Sequence, residues 1–142
     1  MATQSTAQAH WEGSLTEGAG SVDLVTSGVA HFDLKWAKRA EAGAGTTNPE
    51  ELIGAAHAAC YSMALSHALA GNGTPPESVD TKAVVGFQPG VGITGSELTV
   101  VAKVPGLTEE EFLKFAEDAK TGCPVSAALA SIPITLNATF AS

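Results

Sequence analysis

Residues 48–69 read NPEELIGAAHAACYSMALSHAL. The stretch opens as a helix. Asn48 can cap it, and Pro49 suits the first helical position, where its missing N–H would be unpaired in any case. Glu51 stands three residues after the cap, where a capping-box carboxylate belongs. The run ends at Gly71-Asn72-Gly73, an exit that admits the left-handed conformation helices use to terminate. Leu52, Ile53, Ala55, Ala56, Ala59, Cys60, Met63, Ala64, Leu65, Ala68 and Leu69 cover most of its circumference. A helix that is apolar nearly all round belongs inside a molecule, and its alanines let neighbouring backbones approach closely. The expected position is the centre of the molecule, and a second copy of the helix is one neighbour such a surface admits.

The sequence before this helix reads as short strands, at residues 10–15, 21–26 and 29–34, split by Gly13, Gly18, Gly20 and Gly28 into a meander. Residues 40–47 are small and glycine-rich and read as a loop. Beyond the helix, Ala83, Val85 and Phe87 alternate, as do Leu98, Val100, Ala102 and Val104, with Pro89-Gly90 and the glycines of residues 92–95 as the turn. A second helix opens at Thr108, with Glu111 completing a capping box, Leu107 and Phe112 a hydrophobic staple, and Phe112, Phe115, Ala116 and Ala119 its apolar stripe. It ends near Lys120 and Gly122, and a short third helix runs from Pro124 to about Ala130. Ile132, Ile134, Leu136, Ala138 and Phe140 close the chain as a strand with one buried face, and Pro133 sets its start at a sheet edge. Strands and helices are segregated, so the class is α+β.

At 142 residues the chain has room for one domain, 1–142. Its net charge of −8 argues against nucleic acid or an anionic membrane as partner. His57, Ser62, Ser66 and His67 interrupt the longest apolar stretch, which does not read as a membrane span, and the polar residues 1–8 do not read as a secretory signal. A cytoplasmic location is expected. In such a reducing compartment the two cysteines, Cys60 and Cys123, are either free thiols or partners in a transient disulfide.

Cys60 lies mid-helix on an apolar surface, where the plain reading is an inert small hydrophobe and the alternative a reactive thiol. Cys123 stands between Gly122 and Pro124 at a helix start. There it either fits a tight corner or gains thiolate character from the helix N-terminus. His57 precedes Cys60 by three residues. With Cys60 and the distant His67 it falls short of the three or four convergent ligands a metal needs, so no metal is expected and His57 reads as a satisfied interior histidine. No phosphate loop or dinucleotide fingerprint is present, and no bound cofactor is expected.

The run Asn48-Pro49-Glu50-Glu51-Leu52-Ile53-Gly54-Ala55-Ala56-His57-Ala58-Ala59-Cys60 resembles the signature of the osmotically inducible protein C (OsmC) and organic hydroperoxide resistance family. Thr121-Gly122-Cys123-Pro124-Val125-Ser126 resembles its second cysteine signature, and His10-Trp11-Glu12-Gly13 its start. The likeness spans nearly the whole chain. It implies an OsmC-like fold, with antiparallel sheets around a buried central helix, in an intertwined homodimer. It also implies a thiol-dependent peroxidase for organic hydroperoxides, in which Cys60 is the peroxidatic thiol and Cys123 the resolving thiol. Glu50 matches the family's acid at the helix start. Arg39, the sole arginine, matches the OsmC subgroup's arginine in the loop before the first helix.

Chemistry agrees with these roles. A peroxidatic thiol must ionise, an apolar helix opposes that, and a nearby cation is required. Arginine stays charged when desolvated, and a carboxylate can orient it. Glu50 is preferred for that task by likeness and Glu51 for the cap, although either could stabilise the helix N-terminus. Glu50 and Cys60 are ten residues apart on one helix, about 15 Å along its axis. Unless Arg39 reaches far, the Arg39–Glu50 pair serving a given Cys60 comes from another chain, which a dimer with shared sites provides. The expected cycle passes through a Cys60 sulfenic acid and a Cys60–Cys123 disulfide, which an external dithiol reduces. Trp36, Phe112 and Phe115 are candidates for an apolar pocket wall as well as for core. The competing reading is a non-catalytic ligand-binding or interaction domain of the same fold, which would need neither cysteines in reach of each other nor an arginine near Cys60.

Overall fold

The computed structural model describes residues 1–41 and 43–141. It divides into two compact units, Met1–Leu52 and Ile53–Ser142. In the first, β1 (Ala7–Glu12), β2 (Ala19–Leu24) and β3 (His31–Leu34) form an antiparallel sheet in sequence order, the expected meander. A short helix, α1 (Trp36–Ala40), follows. It was not legible in the sequence, because its cap residue Lys35 makes no side-chain cap hydrogen bond and it is only five residues long. Of residues 40–47, Thr47 forms a parallel bridge with Leu34. Asn48 donates its side-chain amide to the Lys38 carbonyl at 2.8 Å. These two ties close the segment between α1 and the long helix α2 (Pro49–Gly71).

The start of α2 departs from the expected capping box. Asn48 Oδ1 accepts from the Glu51 N–H at 2.8 Å, as a cap should, but the Glu51 carboxylate accepts from the Thr47 hydroxyl at 2.8 Å. At the other end Thr74 N–H reaches the Leu69 carbonyl at 3.0 Å and Gly73 takes φ +81°, the pattern of a Schellman cap. Between them α2 presents one buried stripe, Gly54, His57, Tyr61, Leu65 and Leu69, at spacings of three and four. Gly54 is required there: a Cβ would lie 3.3 Å from the Ala83 carbonyl, so a side chain would push helix and strand apart. The opposite face, Ala55, Ala59 and Met63, is exposed in the single chain, Met63 by 67%.

In the second unit β4 (Ser78–Gln88) and β5 (Gly92–Lys103) form a long antiparallel hairpin, with a register shift at Gly86/Phe87. The expected all-antiparallel arrangement ends here, because β6 (Ile134–Phe140) pairs with β5 in parallel. The helices α3 (Glu109–Gly122) and α4 (Pro124–Ala128) lie between β5 and β6 in sequence and return the chain to the end from which β5 set out, which is how parallel neighbours must be joined. The edge position inferred from Pro133 is correct, since β6 is the last strand of the β4-β5-β6 sheet. The α3 capping box is formed in full by Thr108 and Glu111.

The core of this unit gathers Tyr61, Leu65 and Leu69 of α2, Leu98, Val100 and Ala102 of β5, Val104, Phe112, Ala116 and Ala119 of α3, and Cys123. Phe112 packs against Phe140 with ring centroids 5.4 Å apart, and Phe115 lies against the same cluster. Both are therefore core rather than pocket wall. No helix among the described residues is long and apolar enough to cross a membrane.

Candidate active site

The four site residues expected from the sequence fall into two pairs, one in each unit. In the first unit Arg39 Nε donates to Glu50 Oε1 at 3.0 Å, across eleven residues. The ties of Thr47 and Asn48 explain why the two meet. They draw the chain after α1 back onto the start of α2, and Glu50 occupies the first turn of that helix. Glu50 is only 5% exposed, whereas the Arg39 side chain is 34% exposed. Among the described residues Glu50 Oε2 is buried and meets no donor. Glu51 is engaged by Thr47 and by the cap. The arginine therefore belongs to Glu50.

Arg39 also lines a cavity of about 290 Å³ whose apolar walls are Trp11, Leu15, Leu34, Trp36 and Pro49. Of the aromatics expected to wall a pocket, Trp36 does so. Trp11 was missed, since nothing local in a strand residue foretells which loop it will face. Lys35 adds a second cation to the rim.

In the second unit Cys60 on α2 and Cys123 at the α3–α4 junction are free thiols, close enough that each acts on the other's ionisation. Cys60 is partly exposed and Cys123 fully buried. Cys123 ends α3, with its N–H on the Ala119 carbonyl at 3.0 Å, and caps α4, where Pro124 takes the first position. The sharp corner is thus a consequence of a proline that starts a helix and cannot continue one.

Burial pushes the Cys60 thiol up, and the Cys123 sulfur it faces adds to this, against one opposing backbone N–H from Val125. Burial would also raise Cys123, but donors outweigh it. These are the Cys60 thiol, the Ser126 N–H and hydroxyl, and the Val125 N–H, and together they hold Cys123 below the ordinary thiol value. Of the two sulfurs, Cys123 is therefore the more readily ionised and Cys60 the less. The five-residue α4 acts through these individual N–H groups rather than through a long helix dipole.

His57 is fully buried on the same face of α2, one turn before Cys60. Its Nδ1 meets Ser96 Oγ at 2.7 Å and its Nε2 meets Ser126 Oγ at 2.8 Å. Burial lowers its pKa, so it is neutral. It is the satisfied interior histidine anticipated, but its partners lie 39 and 69 residues away and no local pattern names them.

Comparison with known proteins fits this arrangement. A family model described as OsmC-like protein matches residues 42–137. Peroxiredoxin OsmC of Escherichia coli (strain K12) is 44% identical over 125 residues, covering 86% of this chain and 87% of the relative. An organic hydroperoxide resistance protein from Elizabethkingia anophelis superposes with a TM-score of 0.65 at 29% identity, over 99% of this chain and 98% of the other. An OsmC like protein from Mycoplasma pneumoniae shares the fold, with a TM-score of 0.75 at 15% identity over the full length of both. With its family model, its relative and its fold in agreement, the chain belongs to the OsmC-like proteins.

Proposed function

We propose that this chain is a single-domain, thiol-dependent peroxidase that reduces organic hydroperoxides to alcohols. A peroxidase-like redox role is supported by its relatedness to a peroxiredoxin. The observation that carries the finer reading is that the Cys60 and Cys123 thiols are neighbours acting on each other's ionisation, as a pair that closes into a disulfide must be.

Cys60 ionises and its thiolate attacks the distal peroxide oxygen. The O–O bond breaks, Cys60 becomes a sulfenic acid, and the alkoxide takes up a proton and leaves as the alcohol. Cys123 then condenses with the sulfenic acid, releasing water and leaving a disulfide that an external dithiol reduces by exchange. Burial, which pushes the Cys60 thiol up, makes a cation necessary, and Arg39, oriented by Glu50, fills that role. Glu50 and Cys60 are separated along one helix by about 15 Å. The Arg39–Glu50 pair of one copy therefore serves Cys60 of the other, in a homodimer. The exposed apolar face of α2, with Ala55, Ala59 and Met63, supports that pairing. The tryptophan-walled cavity beside Arg39 suits an apolar hydroperoxide over hydrogen peroxide. Free thiols that need a reductant suit the cytoplasm.

Thiol titration before and after one equivalent of cumene hydroperoxide tests the reading. Both thiols should disappear together, and Cys60→Ser should abolish turnover. Retention of both thiols would leave a non-catalytic binding domain of the same fold.

A further inference from the structure

His57 is a buried titratable group that the cycle above does not use. Its hydrogen bonds have a direction that can be derived. Ser96, His57 and Ser126 hold three polar protons between them, and Ser126 stands one turn after Cys123, the residue that caps α4, where its hydroxyl acts on the Cys123 thiol. Suppose His57 carries its proton on Nδ1. It then donates to Ser96, the Ser126 hydroxyl turns to Nε2, the Ser96 hydroxyl proton has no acceptor in the chain of bonds, and the sulfur loses a donor. With the proton on Nε2 every donor finds an acceptor. Ser96 O–H donates to Nδ1, Nε2–H donates to Ser126 Oγ, and the Ser126 O–H is free to donate to Cys123 Sγ. Buried polar groups settle into the arrangement that satisfies them all, so the second polarity is the native one.

We propose that His57 is a positioning residue for the second cysteine: by donating to Ser126 it aims the serine hydroxyl at Cys123 and holds that sulfur as the thiolate that closes the disulfide. The inference rests on the two-cysteine reading of the site and deepens it. In the step concerned, the Cys123 thiolate attacks the Cys60 sulfenic sulfur. The S–S bond forms as the S–O bond breaks. Cys123 is oxidised, the sulfenic sulfur of Cys60 is reduced, and the departing hydroxide takes a proton from solvent to become water. The relay supplies orientation and negative-charge stabilisation, and no proton leaves it. A neutral histidine suits this task. Burial keeps the imidazole neutral, and a neutral Nε2–H still polarises Ser126.

Two effects of opposite sign distinguish this role from a structural one. Removing the Ser126 hydroxyl makes Cys123 more basic. It therefore competes better with Cys60 for a proton and leaves Cys60 no less ionised. With Ser126→Ala, disulfide closure after a single addition of cumene hydroperoxide should slow about tenfold, the factor for one charge-assisted hydrogen bond. Sulfenic acid trapped by a cyclic dione should rise, and the first oxidation of Cys60 should be as fast as in the wild type or faster. Ser126→Thr, which keeps the hydroxyl, should restore closure, and His57→Phe should repeat the effect of Ser126→Ala.

A second measurement needs no peroxidase activity. In the Cys60→Ser protein, ultraviolet thiolate absorbance reports the Cys123 titration, which should move up with Ser126→Ala and stay in place with Ser126→Thr. Tyr61 of α2 is raised by burial and, less, by the charges of Glu117 of α3 and of Cys123, which keeps that phenol neutral. A titration that does not move in Ser126→Ala, or moves equally in both serine variants, overturns the proposal whatever the enzyme does. Absence of any peroxide reaction in the wild type overturns the peroxidase reading and leaves the titration to decide the relay.

Discussion

The two units bury negative charge by opposite means. In the first, Glu50 is held by the guanidinium of Arg39, charge against charge, with one carboxylate oxygen satisfied and the other without a donor. In the second, the anionic form of Cys123 is favoured with no cation among the groups that act on it. It is held by hydroxyl, thiol and backbone donors from Ser126, Cys60 and Val125. An ion pair is strong but brittle, since removing one member strands the other. A cage of neutral donors is weaker bond by bond and degrades gradually.

The brittle side should show the largest effect. Arg39→Met leaves the buried Glu50 carboxylate without its cation. Breaking a fully buried pair costs about 3–5 kcal/mol. Because Arg39 is one-third exposed, about 2 kcal/mol is expected by chemical denaturation, together with loss of peroxide turnover. Adding Glu50→Leu should return most of that stability, since the stranded charge is gone, but none of the activity. If the double variant is no more stable than Arg39→Met, Glu50 is not stabilised chiefly by Arg39, and the contrast between the units weakens. On the neutral side Tyr61→Phe leaves the Ala116 carbonyl, now bonded at 2.9 Å, without its donor inside the core. A loss of about 1 kcal/mol is expected, with the midpoint moving and the denaturant slope unchanged.

The same contrast explains what could be read in advance. Both long helices were legible, since Asn48-Pro49 and Thr108 with Glu111 announce their starts within four residues, but α2's all-round apolar surface is only half accounted for within the single chain, which buries one stripe and exposes the face of Ala55, Ala59 and Met63. The α3 box formed as read, while that of α2 lost its carboxylate to Thr47, a competitor one residue outside the motif. Helix α1 has no cap to announce it. The parallel pairing of β6 depends on the path of α3 and α4, and alternation within a strand is blind to its neighbour's direction. Cys60, Cys123, Arg39 and Glu50 could be singled out because they are rare residue types or stand in recognisable motifs. Ser96 and Ser126 could not, because a serine becomes part of a relay only when folding carries it to His57 from far along the chain.

The smallest expected effect sharpens the comparison through two histidines, one in each unit. His31 in the first is raised by its hydrogen bond to and the charge of Asp23, with help from the charge of Asp33, against a small opposing desolvation. The native state binds its proton more tightly than the unfolded chain does. His31 therefore contributes stability that is complete below the ordinary histidine value, about 6.5, and fades as pH rises through its own higher one. His57 in the second is lowered by burial. The native state refuses a proton that the unfolded chain accepts, so stability is undiminished above about pH 6.5 and falls below it, with a limiting slope of about 1.4 kcal/mol per pH unit. Down to pH 6 this amounts to less than about 1 kcal/mol. His57→Gln keeps an amide donor and removes the titration, so the difference between wild type and variant should be flat above pH 6.5 and narrow below it. The His31 contribution cancels in that difference. A gap that stays constant through the acid range would mean that native His57 accepts its proton as easily as the unfolded chain, which a ring closed between two serines and shut off from water should not do.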